Sequence, residues 1–174
     1  MNRDSLLTIL LLAVALLLGC HFENRVYVLT ATSTLSLPFK ASQFVGYFDR
    51  EGLDLRVDEA GTPAELINLL NFSKYSAVIC DGQVADKLTS LSKKWKKICL
   101  VAVKTGEGEP IKKRNYYLLV KERLLFNTEL LIKLVRGWNY GTELLKDPAV
   151  VYYLTGKGEL RGVKFLKCKG TNED

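Results

Sequence analysis

Between Thr30 and Ser36 the sequence carries five side-chain hydroxyls, on Thr30, Thr32, Ser33, Thr34 and Ser36. A hydroxyl both donates and accepts hydrogen bonds, which is the chemistry of holding a polar solute. Three shorter segments carry matching groups: Gly61–Thr62, Asp81–Gly82–Gln83, and Lys104–Thr105. Ser36, Thr62 and Asp81 each stand where a helix is expected to begin. Backbone N–H groups there would favour an anion or a polar carbonyl. Lys104 adds positive charge, whereas Asp81 would suit an amine. Each feature also has a plainer reading. Ser36, Thr62 and Asp81 serve as ordinary helix caps, and the Thr/Ser stretch as a solvated turn.

Catalytic chemistry finds less support. The sole histidine, His21, lies in a segment expected to be a tether, so no fold positions an imidazole for a Ser-His or Cys-His mechanism. No Cys/His cluster has metal-ligand spacing, and Gly106–Gly108 lacks the flanks of a phosphate loop. Asp54 and Asp58 read as the wet face of a strand. No enzyme activity and no cofactor are expected. Besides Cys20 there are Cys80, Cys99 and Cys168. If the runs ending at Cys80 and opening at Cys99 are parallel neighbours, those two thiols sit at opposite ends and cannot pair. Buried, unreactive thiols are the expectation for both, with a bridge to Cys168 left open.

The elements that must position these groups alternate along a chain of 174 residues, 48% hydrophobic, 25% charged, with net charge +6. This composition excludes a disordered or collagen-like chain and suits one domain. Arg25–Thr30 reads as a strand. Leu37, Ala41, Phe44, Val45 and Phe48 mark one face of a helix capped by Ser36, with Pro38 in its first turn and Gly52 as its stop. Leu53, Leu55 and Val57 alternate with charged residues, giving a strand near a sheet edge. Thr62–Pro63–Ala64–Glu65 is a capping box opening a second helix. Buried strands follow at Tyr75–Cys80 and Ile98–Val103, separated by a helix from about Gln83 to Leu91. A strand at Tyr116–Val120 precedes a long helix that Asn127 can cap and that runs to about Lys146. A short helix after Asp147 ends at Gly156 or Gly158, and Val163–Cys168 is a last strand.

Ahead of this domain the apolar block Leu6–Leu18 runs for 13 residues, a length that fits a secretory h-region and falls short of a bilayer span. It ends in Leu17–Leu18–Gly19–Cys20, which resembles the lipobox of bacterial lipoproteins. The resemblance implies a signal peptide over residues 1–19 and lipid attachment at Cys20. A lipidated tether would span 20–24 and a polar tail 169–174. An uncleaved signal anchor is the alternative reading. Losing the leader removes one base, Arg3, and one acid, Asp4, so the net charge is kept.

The stretch Tyr47-Phe48-Asp49-Arg50-Glu51-Gly52-Leu53-Asp54-Leu55 resembles the signature of ABC-transporter substrate-binding proteins, in the sulfonate, nitrate and thiamine-precursor subgroup. Gly61–Leu70, Tyr75–Gly82 and Leu125–Leu154 resemble further pieces of that family in the same order. The resemblance implies a type II periplasmic-binding-protein fold, in which two α/β lobes close on a ligand. Only Lys104–Asn115 occupies the interval where the second lobe belongs. The expected fold class is therefore an α/β, three-layer single lobe over residues 25–168, with a mostly parallel sheet and one antiparallel strand.

In such a sheet, ligands approach the carboxyl ends of the strands, where the four segments named first converge. The family's ligand-contacting loop corresponds to Thr32–Thr34. The expected function is a membrane-anchored, extracytoplasmic solute-binding protein relative, non-catalytic, taking a small polar solute for an ABC permease. The alternative is an interaction lipoprotein that kept the fold and lost the ligand, its missing lobe supplied by a homodimer or another chain. The basic tract Lys93-Lys94-Trp95-Lys96-Lys97 and the cluster Lys112-Lys113-Arg114 read as a solvated face or as contacts to anionic headgroups. No nucleic-acid motif is present.

Overall fold

A computed structural model describes residues 24–71, 74–105 and 113–169. The leader, Cys20, His21, Gly106, Gly108, Lys112 and all of the tail but Lys169 lie outside the described residues. The chain runs β1 (Arg25–Thr30), α1 (Ser33–Phe44), α2 (Tyr47–Arg50), β2 (Asp54–Glu59), α3 (Pro63–Leu70), β3 (Ala77–Asp81) and α4 (Gly82–Leu91). It continues through β4 (Trp95–Thr105), β5 (Lys113–Lys121), α5 (Glu122–Phe126), α6 (Thr128–Leu144), α7 (Pro148–Thr155) and β6 (Val163–Phe165).

The six strands form one sheet in the order β2-β1-β3-β5-β4-β6. β1 pairs in parallel with β2 and β3, while the β3–β5, β5–β4 and β4–β6 pairings are antiparallel. The expectation of a mostly parallel sheet with one antiparallel strand is therefore corrected: the pairings are mostly antiparallel, and both β5 and β6 run against the rest. The cause is local. β4 and β5 fold back on one another as a hairpin, so β5 takes the place beside β3 that a crossover would have given to β4. β1 to β4 still point the same way, which gives the sheet a carboxyl edge, where these four strands end, and an amino edge, where they begin.

Side-chain alternation along the strands divides the core. Val26, Val28, Ala77, Ile79, Leu118 and Val120 face Leu35 and Phe39 of α1, Phe48 of α2 and Leu134 and Trp138 of α6. Leu29, Val78, Cys80 and Leu119 face the opposite way, toward Leu66 and Leu70 of α3 and Ala85 of α4. Strand β2 lies at one end of the sheet, as its alternating charges require.

The first helix differs from its expected form. It begins at Ser33 with Thr32 as N-cap, so Ser36 is inside the helix and Pro38 sits mid-helix. Proline has no N–H, which removes one bond of the helical ladder. Gly46, at φ +67°, breaks the run before Gly52 is reached, and α2 is a separate turn. Phe44, expected on the inner face, is 51% exposed and rests on the ring of Tyr153 at 4.4 Å. Two glycines of α6 allow α1 to lie against it. A Cβ on Gly141 would stand 1.7 Å from the Pro38 carbonyl oxygen, and one on Gly137 would stand 2.2 Å from the Phe48 ring. The Ser42 hydroxyl donates to the Gly137 carbonyl at 2.6 Å across the same contact.

The cysteines also depart in part from expectation. Cys99 is not a free thiol but is bonded to Cys168, with Cα atoms 5.5 Å apart. Among the described cysteines Cys80 is the free, buried one, and burial pushes its thiol up to about 12. Strand β5 lies between β3 and β4, which keeps Cys80 and Cys99 apart. Strand β6 ends at Phe165 rather than Cys168, because the chain then leaves the β4 edge to reach α6. There Trp138 Nε1 donates to the Leu166 carbonyl at 2.9 Å, and Asn139 exchanges two hydrogen bonds with the Cys168 backbone.

Two stability predictions follow from these contacts. Gly141→Ala forces the helices apart and is expected to cost about 2 kcal/mol or more in urea unfolding, as overpacking of a tight contact does. Cys99→Ser with Cys168→Ser opens a loop of 69 residues. The loss expected from chain entropy is about 4 kcal/mol, read as a lower urea midpoint with an otherwise native far-UV spectrum.

Candidate solute-binding groove

Four of the expected segments do gather at the carboxyl edge, because each follows the end of one of β1 to β4. Their side chains are not equivalent. The Thr30 hydroxyl is fully buried and donates to the carbonyls of Thr32 and Asp58 at 3.1 and 3.4 Å. The Ser36 hydroxyl is also buried and bonds both the Ser33 carbonyl, at 2.7 Å, and Glu59 Oε1, at 2.5 Å. These two hydroxyls are spent inside the fold. Thr62 caps α3, accepting from Glu65 N–H at 3.1 Å, and the Glu65 carboxylate accepts from Gly61 N–H at 2.7 Å. Asp81 caps α4 through a bond from Val84 N–H at 3.1 Å. Gly82 packs beside the Tyr117 ring, and Gln83 is exposed. Lys104 is exposed as well, carried past Asp81 by the projecting ends of β4 and β5: Asp81 pairs with Tyr116, whereas Lys104 pairs with Arg114.

Of the expected residues, Ser33 and Thr34 line a groove of about 680 Å³. Both belong to the first turn of α1, and Thr32 before them is exposed, with no side-chain bond capping the helix. Leu37 and Lys40 extend this wall one turn down α1. The facing wall is Leu154 and Thr155 at the end of α7, then Lys157, Gly158, Glu159, Leu160 and Arg161. Gly61, Thr62, Asp81, Gly82, Gln83 and Lys104 do not line it.

Local rules build the second wall. Asp147 caps α7 by accepting from Ala149 N–H at 2.9 Å, and Gly156, at φ +68°, closes it. The Thr155 hydroxyl then donates to the carbonyls of Val151 and Lys157 and accepts from Lys157 N–H, which fixes the turn. Thr105 N–H donates to the Gly162 carbonyl at 2.8 Å, which ties the segment to the carboxyl end of β4. This wall went unread as a site in the sequence. The glycine-and-cation run Gly156-Lys157-Gly158-Glu159-Leu160-Arg161 is its only local signal. Its meaning depends on knowing that β6 returns along the outer edge of β4.

The charges in the groove are unequally committed. Lys40 pairs with Glu59 at 2.6 Å, and Arg161 with Glu159 at 2.5 Å. Lys157 makes no ion pair among the described residues. Burial pushes the Glu59 carboxyl up, but bonds from Lys40 and Ser36, together with the Lys40 charge, outweigh it and hold the group below the usual glutamate value. The groove thus offers two hydroxyls, a helix N-terminus and an uncommitted ammonium beside the apolar side chains of Leu37, Leu154 and Leu160. It can hold a small solute with an anionic or strongly polar end and an apolar part. Among the described residues no helix is long and apolar enough to cross a membrane.

No family model matches the chain, and no curated protein matches it. Solved structures do, and they define the class: an α/β fold like that of the periplasmic binding proteins. One is the conserved Candida albicans CA3427 gene product, described as defining a new family with the generic periplasmic binding protein structural fold. The likeness has a TM-score of 0.61 at 10% identity and covers 82% of each chain. Another is a protein of Bordetella bronchiseptica RB50, at TM-score 0.58, 7% identity and 76% of each chain. At such identities the likeness is one of fold.

The Glu59 network yields a pH prediction. A carboxyl lowered in the folded state stabilises above its unfolded value, and that stability is lost as pH falls through the folded one. Glu59→Gln is therefore expected to be less stable than the parent near neutrality. The gap should narrow as pH drops below about 4.3, as read by thermal melts at stepped pH.

Proposed function

We propose that this chain is a non-catalytic solute-binding lobe, held at the outside of a membrane through Cys20. The observation that carries this reading is the groove between the first turn of α1 and Lys157–Arg161. It stands at the carboxyl edge of a binding-protein-like sheet, where α/β folds take their ligands. Its ligand is a small polar solute, and its uncommitted cation favours an anion, in keeping with the sulfonate- and nitrate-binding subgroup that the sequence resembles. An ABC permease is the partner such a lobe would serve. With only residues 106–112 between β4 and β5, the ligand is held on one lobe and is less enclosed than in a two-lobed clamshell. The Cys99–Cys168 bridge supports an extracytoplasmic address, since such bonds persist in oxidising compartments.

A second reading, an interaction lipoprotein, is favoured by the paired rings of Phe44 and Tyr153, which are 51% and 67% exposed. Such a pair suits burial against another chain.

Thermal-shift measurements with sulfonates, nitrate, pyrimidines and amino acids separate the two. A true ligand at ten times its Kd is expected to raise the melting temperature by about 3–6 °C. Lys157→Ala should weaken the shift for an anionic ligand without changing the unliganded melt. No shift with any solute, together with a dimer on sizing that Phe44→Ser dissolves, would replace the first reading by the second.

A further inference from the structure

Opposite the groove, the amino edge gathers exposed apolar and cationic side chains. Leu91, at the end of α4, and Phe126, at the end of α5, are 75% and 83% exposed, the two most exposed large apolar side chains among the described residues. They flank the edge from opposite faces of the sheet, since α4 covers one face and Leu124 of α5 is buried against the other. Between them lie the start of β4 and the end of β5, joined by a bond from Glu122 N–H to the Lys94 carbonyl at 2.8 Å and by Trp95 pairing with Lys121.

This junction is cationic. Lys93, Lys94 and Arg123 are exposed and make no ion pair among the described residues, and Lys121 lies over the Trp95 ring at 5.3 Å. Glu122 is the one acid in the segments 92–95 and 121–126. Burial lowers the Lys121 ammonium, and the Lys94 charge lowers it further, as expected of like charges held close together. The chain also enters the fold at this edge. Asn24, whose carbonyl accepts from Asp54 N–H at 3.0 Å, opens β1 only four residues after Cys20. Four residues reach at most about 14 Å. Whether acyl chains at Cys20 or the apolar run Leu6–Leu18 hold the protein, the amino edge is the part kept nearest the lipid.

We infer that the amino edge is a docking surface for an anionic bilayer. Leu91 and Phe126 enter the headgroup boundary, while Lys93, Lys94 and Arg123 meet lipid phosphates. Docking in this pose turns the carboxyl edge and its groove away from the membrane. The inference rests on the membrane tethering proposed above, but not on solute binding.

The test uses the full chain carrying Phe126→Trp, an exposed position that tolerates an indole. Vesicles with brominated acyl chains are made of phosphatidylcholine alone, or with about a third phosphatidylglycerol. Quenching in excess of that of the parent chain, whose Trp95 and Trp138 are buried, is expected in the anionic vesicles and should fall several-fold in the neutral ones. Lys93→Glu, Lys94→Glu and Arg123→Glu together should weaken that contact on the order of 100-fold, and high salt should abolish it. Equal quenching in both vesicle types, or none in either, overturns the inference. So does burial of the edge in a lipid-independent dimer. Intact mass reports acylation at Cys20 separately, so failure of the acyl tether and failure of the charge-dependent contact are read independently.

Discussion

The absence of two side chains on α6 governs how this molecule is put together. At Gly137 and Gly141 the backbone of α6 comes into contact with Phe48 and the Pro38 carbonyl, at distances that leave no room for a methyl group. That approach fixes α1, whose first turn is one wall of the groove. The same helix binds the C-terminal return through Trp138, Asn139 and the backbone of Cys168. The other wall, 154–161, is suspended between α7 and β6. Both walls are therefore referenced to α6, although α6 contributes no residue to the groove.

The distribution of charge follows a similar economy. The acids of the β2 side are consumed by the fold: Asp54 by Arg25 and Arg56, Asp58 by Lys74 and Tyr75, and Glu59 by Lys40 and Ser36. Asp81 and Asp147 are consumed as caps. Bases outnumber acids in the chain, so uncommitted cations remain at both ends of the sheet, at Lys157 on one edge and at Lys93, Lys94 and Arg123 on the other.

Periodicity made β1, β2 and most helices legible, because burial on one face is a local property of a segment. Thr62, Asp81 and Asn127 act as caps where the sequence put them, for the same reason. Strand order was not legible: a buried apolar run such as Leu118–Val120 fits beside β3 or at an edge equally well, and nothing in it names its partner. The hydroxyl-rich loop was found but overcounted. Thr30 and Ser36 have the same chemistry as Ser33 and Thr34, and only burial separates a spent hydroxyl from an available one. The bond between Cys99 and Cys168 depends on where β6 returns, which is long-range information.

The thiols carry a consequence for how the chain matures. Cys80 and Cys99 are both made before Cys168 and lie 19 positions apart, whereas the mate of Cys99 follows only after 69 more. In oxidising surroundings the nearer thiol is the kinetic competitor. In the folded chain β3 takes Cys80 out of solvent, and burial raises its thiol so that little nucleophilic thiolate is left. The sheet that carries Cys99 thus also holds the competing thiol of Cys80 out of its reach, with β5 between them.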